Sequence, residues 1–242
     1  MNPINRIFVP LDTPDLERGI ALVRQLSGLV GGVKIGKEFF TALGPQGVIR
    51  IAEFGMPLFL DLKFHDIPNT VAGAIRSGVH LRPVIVDVHA QGGRAMMASA
   101  AEAARDEAAK LNIARPLVLG VTVLTSLDAS DLNDMGVAGS TEVQVVRLAR
   151  LAHASGLDGV VCSGEEIVPL RAALGSDFKL LVPGIRPAWS VAGDQKRILT
   201  PGEAVRRGAD FLVIGRAITD APDPRAAAQR IADEIAVAVA AS

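Results

Sequence analysis

Short apolar runs alternate with longer amphipathic segments along the chain. The runs are rich in Val, Ile, Leu and Phe, which is typical of strands buried on both faces of a parallel sheet. The predicted strands are 6–12, 32–36, 57–64, 84–90, 116–125, 158–164, 179–185 and 210–216. Helix-forming residues fill the segments between them, and several of these segments begin after a Ser, Thr or Asp that can cap a helix. The clearest predicted helices are 14–28, 94–111, 140–156 and 223–241.

This alternation predicts an α/β fold, a (β/α)8 barrel in which residues 1–242 form a single domain. An open, doubly wound parallel sheet is the alternative, because it has the same order of elements. The least regular segment is 184–197, which follows the seventh predicted strand. It is long for a connection between a strand and a helix, and a loop of this length in a compact domain is expected to be either functional or disordered.

Composition narrows the class of protein. The net charge is −1 with acids and bases interspersed, so the sequence predicts no nucleic-acid partner and no membrane-binding patch. No apolar run reaches the ~18 residues that a membrane helix needs, and the N-terminus lacks the pattern of a signal peptide. The single cysteine, Cys162, excludes an internal disulfide, which fits a cytoplasmic protein.

Charged residues follow an apolar run in the third predicted strand, "PLFLDLKF". Side chains alternate along a strand, so Asp61 and Lys63 are expected on the face opposite the leucines. Asp66 lies past the strand, at the start of the next helix. The carboxyl ends of barrel strands carry the catalytic groups of such enzymes. We therefore expect Asp61 and Lys63 at the mouth of the barrel.

The first two strands supply further charges at the same end. Asp12 ends the first predicted strand, and Lys34 stands alone among apolar residues in the second. Asp12, Lys34, Asp61 and Lys63 are therefore predicted to converge from three adjacent strands. The alternative is a buried ion-pair network that only holds the barrel together, although such pairs are weak sources of stability.

The last strand and the segment after the seventh predict an anion site. Barrels frequently bind phosphate with the loops after strands seven and eight. Gly215 allows close approach of backbone N–H groups, and Arg216 can pair with a phosphate. Arg186 and Gln195 lie in the 184–197 segment and can close over the same anion. Alternatively, Arg216 is a solvated surface residue and Gly215 only a turn.

Other chemistry-bearing residues have ordinary interpretations. His89 shares strand parity with Asp87 and either lines the site or packs in the core. Cys162 lies in an apolar strand and is expected to be an inert core residue. No Cys or His cluster has metal-ligand spacing, so no metal site is predicted. The only tryptophan, Trp189, lies in the 184–197 segment, and its fluorescence is predicted to change when a nucleotide inhibitor orders that segment.

The stretch "DLKFHDIPNTV", residues 61–71, resembles the signature of the orotidine 5′-phosphate decarboxylase family. The resemblance extends along the chain through "VPLD", "VKIG", "VDVHAQGG", "VTVLTS", "VPGIRP" and "VIGRAI". It implies a barrel of the phosphate-binding type. It also implies a carboxy-lyase that converts orotidine 5′-phosphate to uridine 5′-phosphate (UMP) and CO2 without a cofactor, in the last step of UMP biosynthesis.

The resemblance also implies catalytic roles. It makes Lys34, Asp61, Lys63 and Asp66 a charged array. Within it, Lys63 delivers a proton to C6 of the pyrimidine and Asp61 stands against the departing carboxylate. Asp66 and Thr70 match residues supplied to the neighbouring subunit's site, which implies a homodimer.

Binding roles follow from the same resemblance. Asp12 and Lys34 match contacts to the ribose hydroxyls, and Thr125 matches a residue near the pyrimidine edge. The residues that match the phosphate contacts are Arg186, Gln195, Gly215 and Arg216.

Two other functions compete with this interpretation. Sister barrels, 3-keto-gulonate-6-phosphate decarboxylase and hexulose-6-phosphate synthase, resemble the chain in strand three but use Mg²⁺. Lys34 occupies the position where that group carries an acid, and a lysine there repels a divalent cation. A nucleotide sensor that has lost activity is the other alternative, since fold alone does not prove catalysis.

Overall fold

The structure, a computed structural model, describes residues 2–190 and 199–240. The strands are β1 Ile7–Pro10, β2 Gly32–Ile35, β3 Leu58–Phe64, β4 Ile85–His89, β5 Leu117–Val121, β6 Gly159–Val161, β7 Lys179–Val182 and β8 Phe211–Val213. They form a closed barrel in the order β1 to β8, and the paired strands run parallel. The predicted (β/α)8 barrel is thus confirmed, and the open sheet is excluded.

Helices follow the strands, as the pattern predicts. They are α1 Leu16–Leu26, α2 Lys37–Ala52, α3 Pro68–Val79, α4 Gly93–Lys110, α5 Ala129–Asp134, α6 Thr141–Ala154, α7 Ile167–Leu174, α8 Pro201–Arg207, α9 Arg216–Thr219 and α10 Pro224–Ala240. Short 3₁₀ turns occupy Pro3–Arg6 and Ala90–Gly92. Among the residues described, no helix has the length and apolarity that crossing a membrane requires.

The chain divides into two compact units, of which the first comprises Met1–Leu62 and Val182–Ser242. Its strands pair in the registers Pro10↔Lys34 and Lys34↔Phe59. The Phe8 ring packs edge-on against Phe59, with ring centroids 6.3 Å apart. A Cβ at Gly32 would lie only 2.7 Å from Cε1 of Phe8, so this aromatic packing requires a glycine in β2.

The second unit comprises Lys63–Leu181. Its β4, β5, β6 and β7 pair in sequence, and α3 packs along α4. Asp158, the residue before β6, forms hydrogen bonds at the amino end of β5. Its Oδ2 accepts the backbone N–H of Val118 at 2.8 Å and the Arg115 guanidinium at 3.0 Å.

Most strands end earlier than their apolar runs predict, and β5, β6, β7 and β8 each end three or more residues early, at Val121, Val161, Val182 and Val213. The run 116–125 leaves the sheet after Val121, and the Leu127 N–H closes a turn on the Leu124 carbonyl at 2.9 Å. The run 210–216 leaves it after Val213, and Arg216 is the first residue of α9. Ile214 is fully buried although it lies past the strand, and its N–H still donates to the Phe8 carbonyl at 3.1 Å, so burial extends past the last residue of the strand.

Candidate active site

An ion-pair cluster in the first unit joins two buried residues, Lys34 and Asp61, to the exposed Asp12. The Lys34 ammonium is 2.9 Å from Oδ2 of Asp61 and 3.3 Å from Oδ1 of Asp12. Lys34 is 9% exposed and Asp61 7%, so both charges are removed from water and require partners. Of the four residues predicted to converge, the structure brings Asp12, Lys34 and Asp61 into contact, and we call these three the Lys34 cluster; the convergence of Lys63 with them stays a prediction.

The electrostatics keep Lys34 protonated. Burial by itself lowers the pKa of this ammonium, but the carboxylates of Asp61 and Asp12 more than offset that effect, and the pKa is raised above its ordinary value of 10.5. Lys34 is therefore a fixed cation throughout the neutral range. Because one ammonium holds two carboxylates, the cluster fixes the position of Asp61.

Gly36 makes room for this cluster. It precedes α2 in an extended conformation, with φ −92° and ψ −177°. A Cβ there would lie 2.9 Å from Nζ of Lys34 and 3.1 Å from Oδ1 of Asp12. A larger residue would therefore press on the bond between those two side chains.

A cavity of about 420 Å³ opens beside Asp12 in the same unit. The predicted residues Arg186, Gly215 and Arg216 line it, together with Asp12. Arg18 of α1 also lines it, and the sequence pattern did not single out that residue. Several guanidinium groups around one cavity favour an anionic ligand, because each can donate two hydrogen bonds to a phosphate.

Gly215 contributes close packing to this cavity. A Cβ on it would lie 3.1 Å from Cγ of Pro10, the last residue of β1. Gly215 is also the N-cap residue of α9, where its carbonyl accepts the Ile218 N–H at 2.7 Å. The remaining predicted phosphate residue, Gln195, lies outside the described residues.

Trp189 lies in the described part of the 184–197 segment. It is half-buried, and the Arg230 guanidinium of α10 stacks 4.6 Å from its ring centroid. This contact holds the indole against α10. The predicted change in Trp189 fluorescence stays a prediction.

Lys63 has an unusual backbone in the second unit. Its φ is +51°, in the left-handed region, although it lies within strand β3. Arg82 and Asn112 are the other non-glycine residues with positive φ in the described chain. Each of those follows the last turn of a helix, where the left-handed conformation is common. Lys63 has no helix end to account for it, and such strain costs about 1–3 kcal/mol and clusters at functional sites.

Asp87 contacts this strained residue. It lies in β4, is 0% exposed, and its Oδ1 accepts the backbone N–H of Lys63 at 2.8 Å. The sequence placed Asp87 on the same face as His89 but did not single it out. An acid in the apolar strand "IVDVH" was the available signal, because a buried carboxylate needs hydrogen-bond donors.

The other predicted residues of this unit are exposed. Asp66, Thr70 and Thr125 all lie at the surface of the chain. Asp66 precedes α3, and its Oδ1 accepts the Ile67 N–H at 2.6 Å. Ile67 is 67% exposed, so an acid and a large apolar side chain are presented side by side.

The surroundings of two further residues, His89 and Cys162, are also defined by the structure. The His89 ring lies 5.5 Å from that of His65. Cys162 is fully buried, which raises the pKa of its thiol well above the ordinary value and agrees with an inert core residue. Within residues 2–190 and 199–240, no group of three or more His, Cys, Asp or Glu is arranged to hold a metal ion.

Comparisons with known proteins point to one family. Residues 5–231 match the family described as "Orotidine 5'-phosphate decarboxylase / HUMPS family". A Paramagnetospirillum magneticum protein named "Orotidine 5'-phosphate decarboxylase" is 56% identical over 96% of this chain and 99% of that protein. A Rhodospirillum rubrum protein of the same name is 55% identical over 96% of this chain and 94% of that protein.

A solved structure agrees with these sequence matches. The crystal structure of orotidine 5′-phosphate decarboxylase from Lactobacillus acidophilus is similar with a TM-score of 0.84 at 35% identity. The likeness covers 95% of this chain and 98% of that chain. The barrel and the sequence motifs are therefore shared along nearly the full length.

Proposed function

The chain belongs to the orotidine 5′-phosphate decarboxylase / HUMPS family, and from that premise we propose that Lys63 is the proton donor of its reaction. The reaction is the decarboxylation of orotidine 5′-phosphate to UMP in pyrimidine biosynthesis. The observation that carries the assignment of the site is the buried Lys34 cluster beside an arginine-lined cavity.

The chemistry calls for a fixed cation. Loss of CO2 from C6 leaves a carbanion in the plane of the ring, with no adjacent carbonyl to delocalise its charge. An ammonium preorganised close to C6 stabilises that charge as it develops and then donates the proton. We assign this task to Lys63, whose strained backbone in β3 supports a role that demands one orientation.

The three residues of the Lys34 cluster are assigned to the reacting carboxylate and the ribose of the substrate. We assign Asp61 the position facing the departing carboxylate, and Asp12 and Lys34 the contacts to the ribose hydroxyls. Support comes from the distances of 2.9 and 3.3 Å that tie both carboxylates to one ammonium. A carboxylate fixed in this way keeps its place when the substrate arrives.

The phosphate is assigned to the cavity beside Asp12. Arg186 and Arg216 donate to its oxygens, Gly215 allows close approach, and Gln195 of the 184–197 segment completes the contacts. The phosphate does not react, so its binding energy serves to align the pyrimidine. Lys34 is buried and bound to Asp12 and Asp61, which disfavours the magnesium-dependent sugar-phosphate chemistry of sister barrels.

We propose that the chain works as a cytoplasmic homodimer with a single catalytic domain per subunit. Asp66 and Thr70 are assigned to the neighbouring subunit's site, and Thr125 to the pyrimidine edge. The exposure of Asp66 and Thr70, next to an Ile67 that is 67% exposed, supports a contact with a second subunit.

Turnover of orotidine 5′-phosphate, followed by ultraviolet absorbance in EDTA, tests the reaction. We expect the purified chain to decarboxylate this substrate without added metal and to leave 3-keto-gulonate 6-phosphate unchanged. A folded chain that turns over only the sugar phosphate, and only with Mg²⁺, would contradict the proposal. A chain that binds UMP but turns over neither substrate would be a sensor.

Mixing two inactive variants tests the shared site. In a 1:1 mixture of Lys63→Ala and Asp66→Ala, half of the dimers are hybrids, and each hybrid regains one intact site of two. The mixture should therefore recover about one quarter of wild-type activity if a symmetric dimer exchanges these residues. A mixture that stays as inactive as its components would contradict the sharing.

A further inference from the structure

We propose that Asp87 is a positioning residue, which sets the direction of the Lys63 side chain by holding its backbone. Oδ1 of Asp87 accepts the Lys63 N–H at 2.8 Å, and Lys63 has a φ of +51° within β3. The inference rests on the proposed role of Lys63 as proton donor. It adds a residue that acts on the reaction through another and does not touch the substrate.

The strain at Lys63 requires a local cause. Arg82 and Asn112 also have positive φ, but each lies just beyond a helix, and its N–H donates to the helix, to Val79 and Ala109 respectively. Lys63 lies in a strand, where an L-residue prefers extended backbone. The hydrogen bond to Asp87 satisfies the N–H in the conformation that is otherwise disfavoured.

The position and the short side chain of Asp87 suit this role. It lies in the middle of β4, paired with Leu119 of β5, and its carboxylate is fully buried. An aspartate has a short side chain, so its oxygen moves little relative to the strand that carries it. A hydrogen bond from an N–H to a buried carboxylate is also stronger than one to a neutral acceptor. Asp87 therefore ties the Lys63 backbone to a rigid strand.

Rotation about φ of Lys63 would change the direction of its Cα–Cβ bond and thus the place of its ammonium. If the bond to Asp87 is lost, Lys63 can relax toward the extended conformation. The proton donor is then displaced, whereas the cavity lined by Arg186 and Arg216 belongs to other elements. The expected consequence is a lower kcat with little change in KM.

Steady-state kinetics on three variants test this. Asp87→Ala removes the acceptor and should lower kcat by roughly 100-fold, because a small misplacement of a reacting group costs that much. Asp87→Asn keeps an acceptor oxygen and should retain kcat within about fivefold of wild type, since a neutral bond is about half as strong. KM for orotidine 5′-phosphate should stay within about threefold in both variants, because the phosphate contacts remain.

Asp158→Ala is the matched control. Asp158 is also an aspartate whose carboxylate accepts a strand N–H at 2.8 Å, that of Val118, but it has no part in the proposed site. Its loss should lower the melting temperature and leave kcat unchanged. If Asp87→Ala does not fold, Asp87→Ser, whose hydroxyl is shorter than the carboxylate, replaces it.

The outcomes separate this inference from the proposed function. Wild-type kcat in a folded Asp87→Ala or Asp87→Ser variant would overturn the inference while the wild-type chain still decarboxylates. Equal losses in Asp87→Asn and Asp87→Ala would overturn it too, since the charge of Asp87 and not its hydrogen bond would then matter. If the wild-type chain has no decarboxylase activity, it is the proposed function that fails.

Discussion

Lys34 and Lys63 are both lysines of barrel strands, and the protein holds them in opposite ways. Lys34 lies in an extended strand, and two carboxylates bind its ammonium directly. Lys63 lies at the carboxyl end of β3 with a left-handed backbone, and a buried carboxylate binds its main-chain N–H. The first arrangement immobilises a charge, whereas the second directs a side chain through its backbone.

The difference corresponds to what each lysine does in the proposed reaction. Lys34 orders Asp12 and Asp61 and can remain in place throughout the cycle. A proton donor must reach C6 and give up its proton, so the direction of its side chain is what the protein has to set. Holding Lys63 by its main chain fixes the point and the direction from which its side chain extends.

Removing the charge of Lys34 tests the first half of this comparison and is expected to have a large effect. Lys34→Met removes the cation that lies 2.9 Å from the buried carboxylate of Asp61, and breaking a buried pair costs about 3–5 kcal/mol. We expect the free energy of unfolding to fall by about 3 kcal/mol and kcat/KM to fall by at least ~100-fold. Denaturant unfolding and steady-state kinetics measure the two effects. Lys110→Met, which breaks an exposed pair with Glu107, is the control and should change neither.

Arg216→Ala should have a smaller effect, confined to substrate binding. Arg216 is exposed at the rim of the cavity, so its contact with the phosphate is partly screened. We expect KM to rise about tenfold with kcat reduced less, because the lost contact is made in ground state and transition state alike. Arg206→Ala, an exposed arginine of α8, is the control. An unchanged KM would remove Arg216 from the phosphate site.

Gly36→Ala should weaken the Lys34 cluster without removing a charge. The new Cβ would approach Nζ of Lys34 to 2.9 Å, so the ammonium must shift against its carboxylates. Overpacking of this kind costs about 1 kcal/mol, roughly fivefold in kcat/KM. Gly73→Ala in α3 is the control, since its Cβ would meet nothing within 4 Å. Equal activity in both variants would show that the cluster tolerates movement.

The pH dependence of the free energy of unfolding is expected to show the smallest effect. The pKa of Lys34 in the folded chain lies above its ordinary value of 10.5, because the carboxylates of Asp61 and Asp12 outweigh the effect of burial. The stabilisation is therefore complete below the unfolded pKa and is lost as pH rises through the folded pKa. The difference in unfolding free energy between wild type and Lys34→Met should be constant from about pH 8 to 9.5 and shrink above about 10.5. A difference that already varies between pH 8 and 9.5 would contradict the raised pKa.

The sequence predicted the Lys34 cluster because regular strands allow prediction by parity. Lys34 and Asp61 lie within extended strands, and Asp12 lies two residues past the end of β1, so alternation along the strands predicts the face that each occupies. Arg186 and Arg216 were predicted beside an anion site because barrels bind anions after their last strands, whereas Arg18 of α1, which lines the same cavity, was not. In both cases the general geometry of the fold determines where a side chain points.

Parity does not describe Lys63, because its backbone is not extended. A lysine in a strand gives no indication of a positive φ, because positive φ is common for Gly and Asn but not for Lys. Its partner Asp87 is distant along the chain, and the bond joins a side chain to a main-chain N–H. Such a contact leaves no periodic trace in the sequence. The ends of β5, β6, β7 and β8 were predicted too late for a different reason, since burial continues past the last residue of a strand, as at Ile214.

The most direct test of the account is the kcat of Lys63→Ala for orotidine 5′-phosphate, measured beside the exposed-lysine control Lys110→Ala. If Lys63 stabilises and protonates the C6 carbanion, kcat should fall by at least ~1000-fold. The affinity for UMP should meanwhile stay within about threefold of wild type, because the phosphate contacts are intact. A folded Lys63→Ala variant that keeps a tenth or more of wild-type kcat would contradict the central claim that Lys63 is the proton donor.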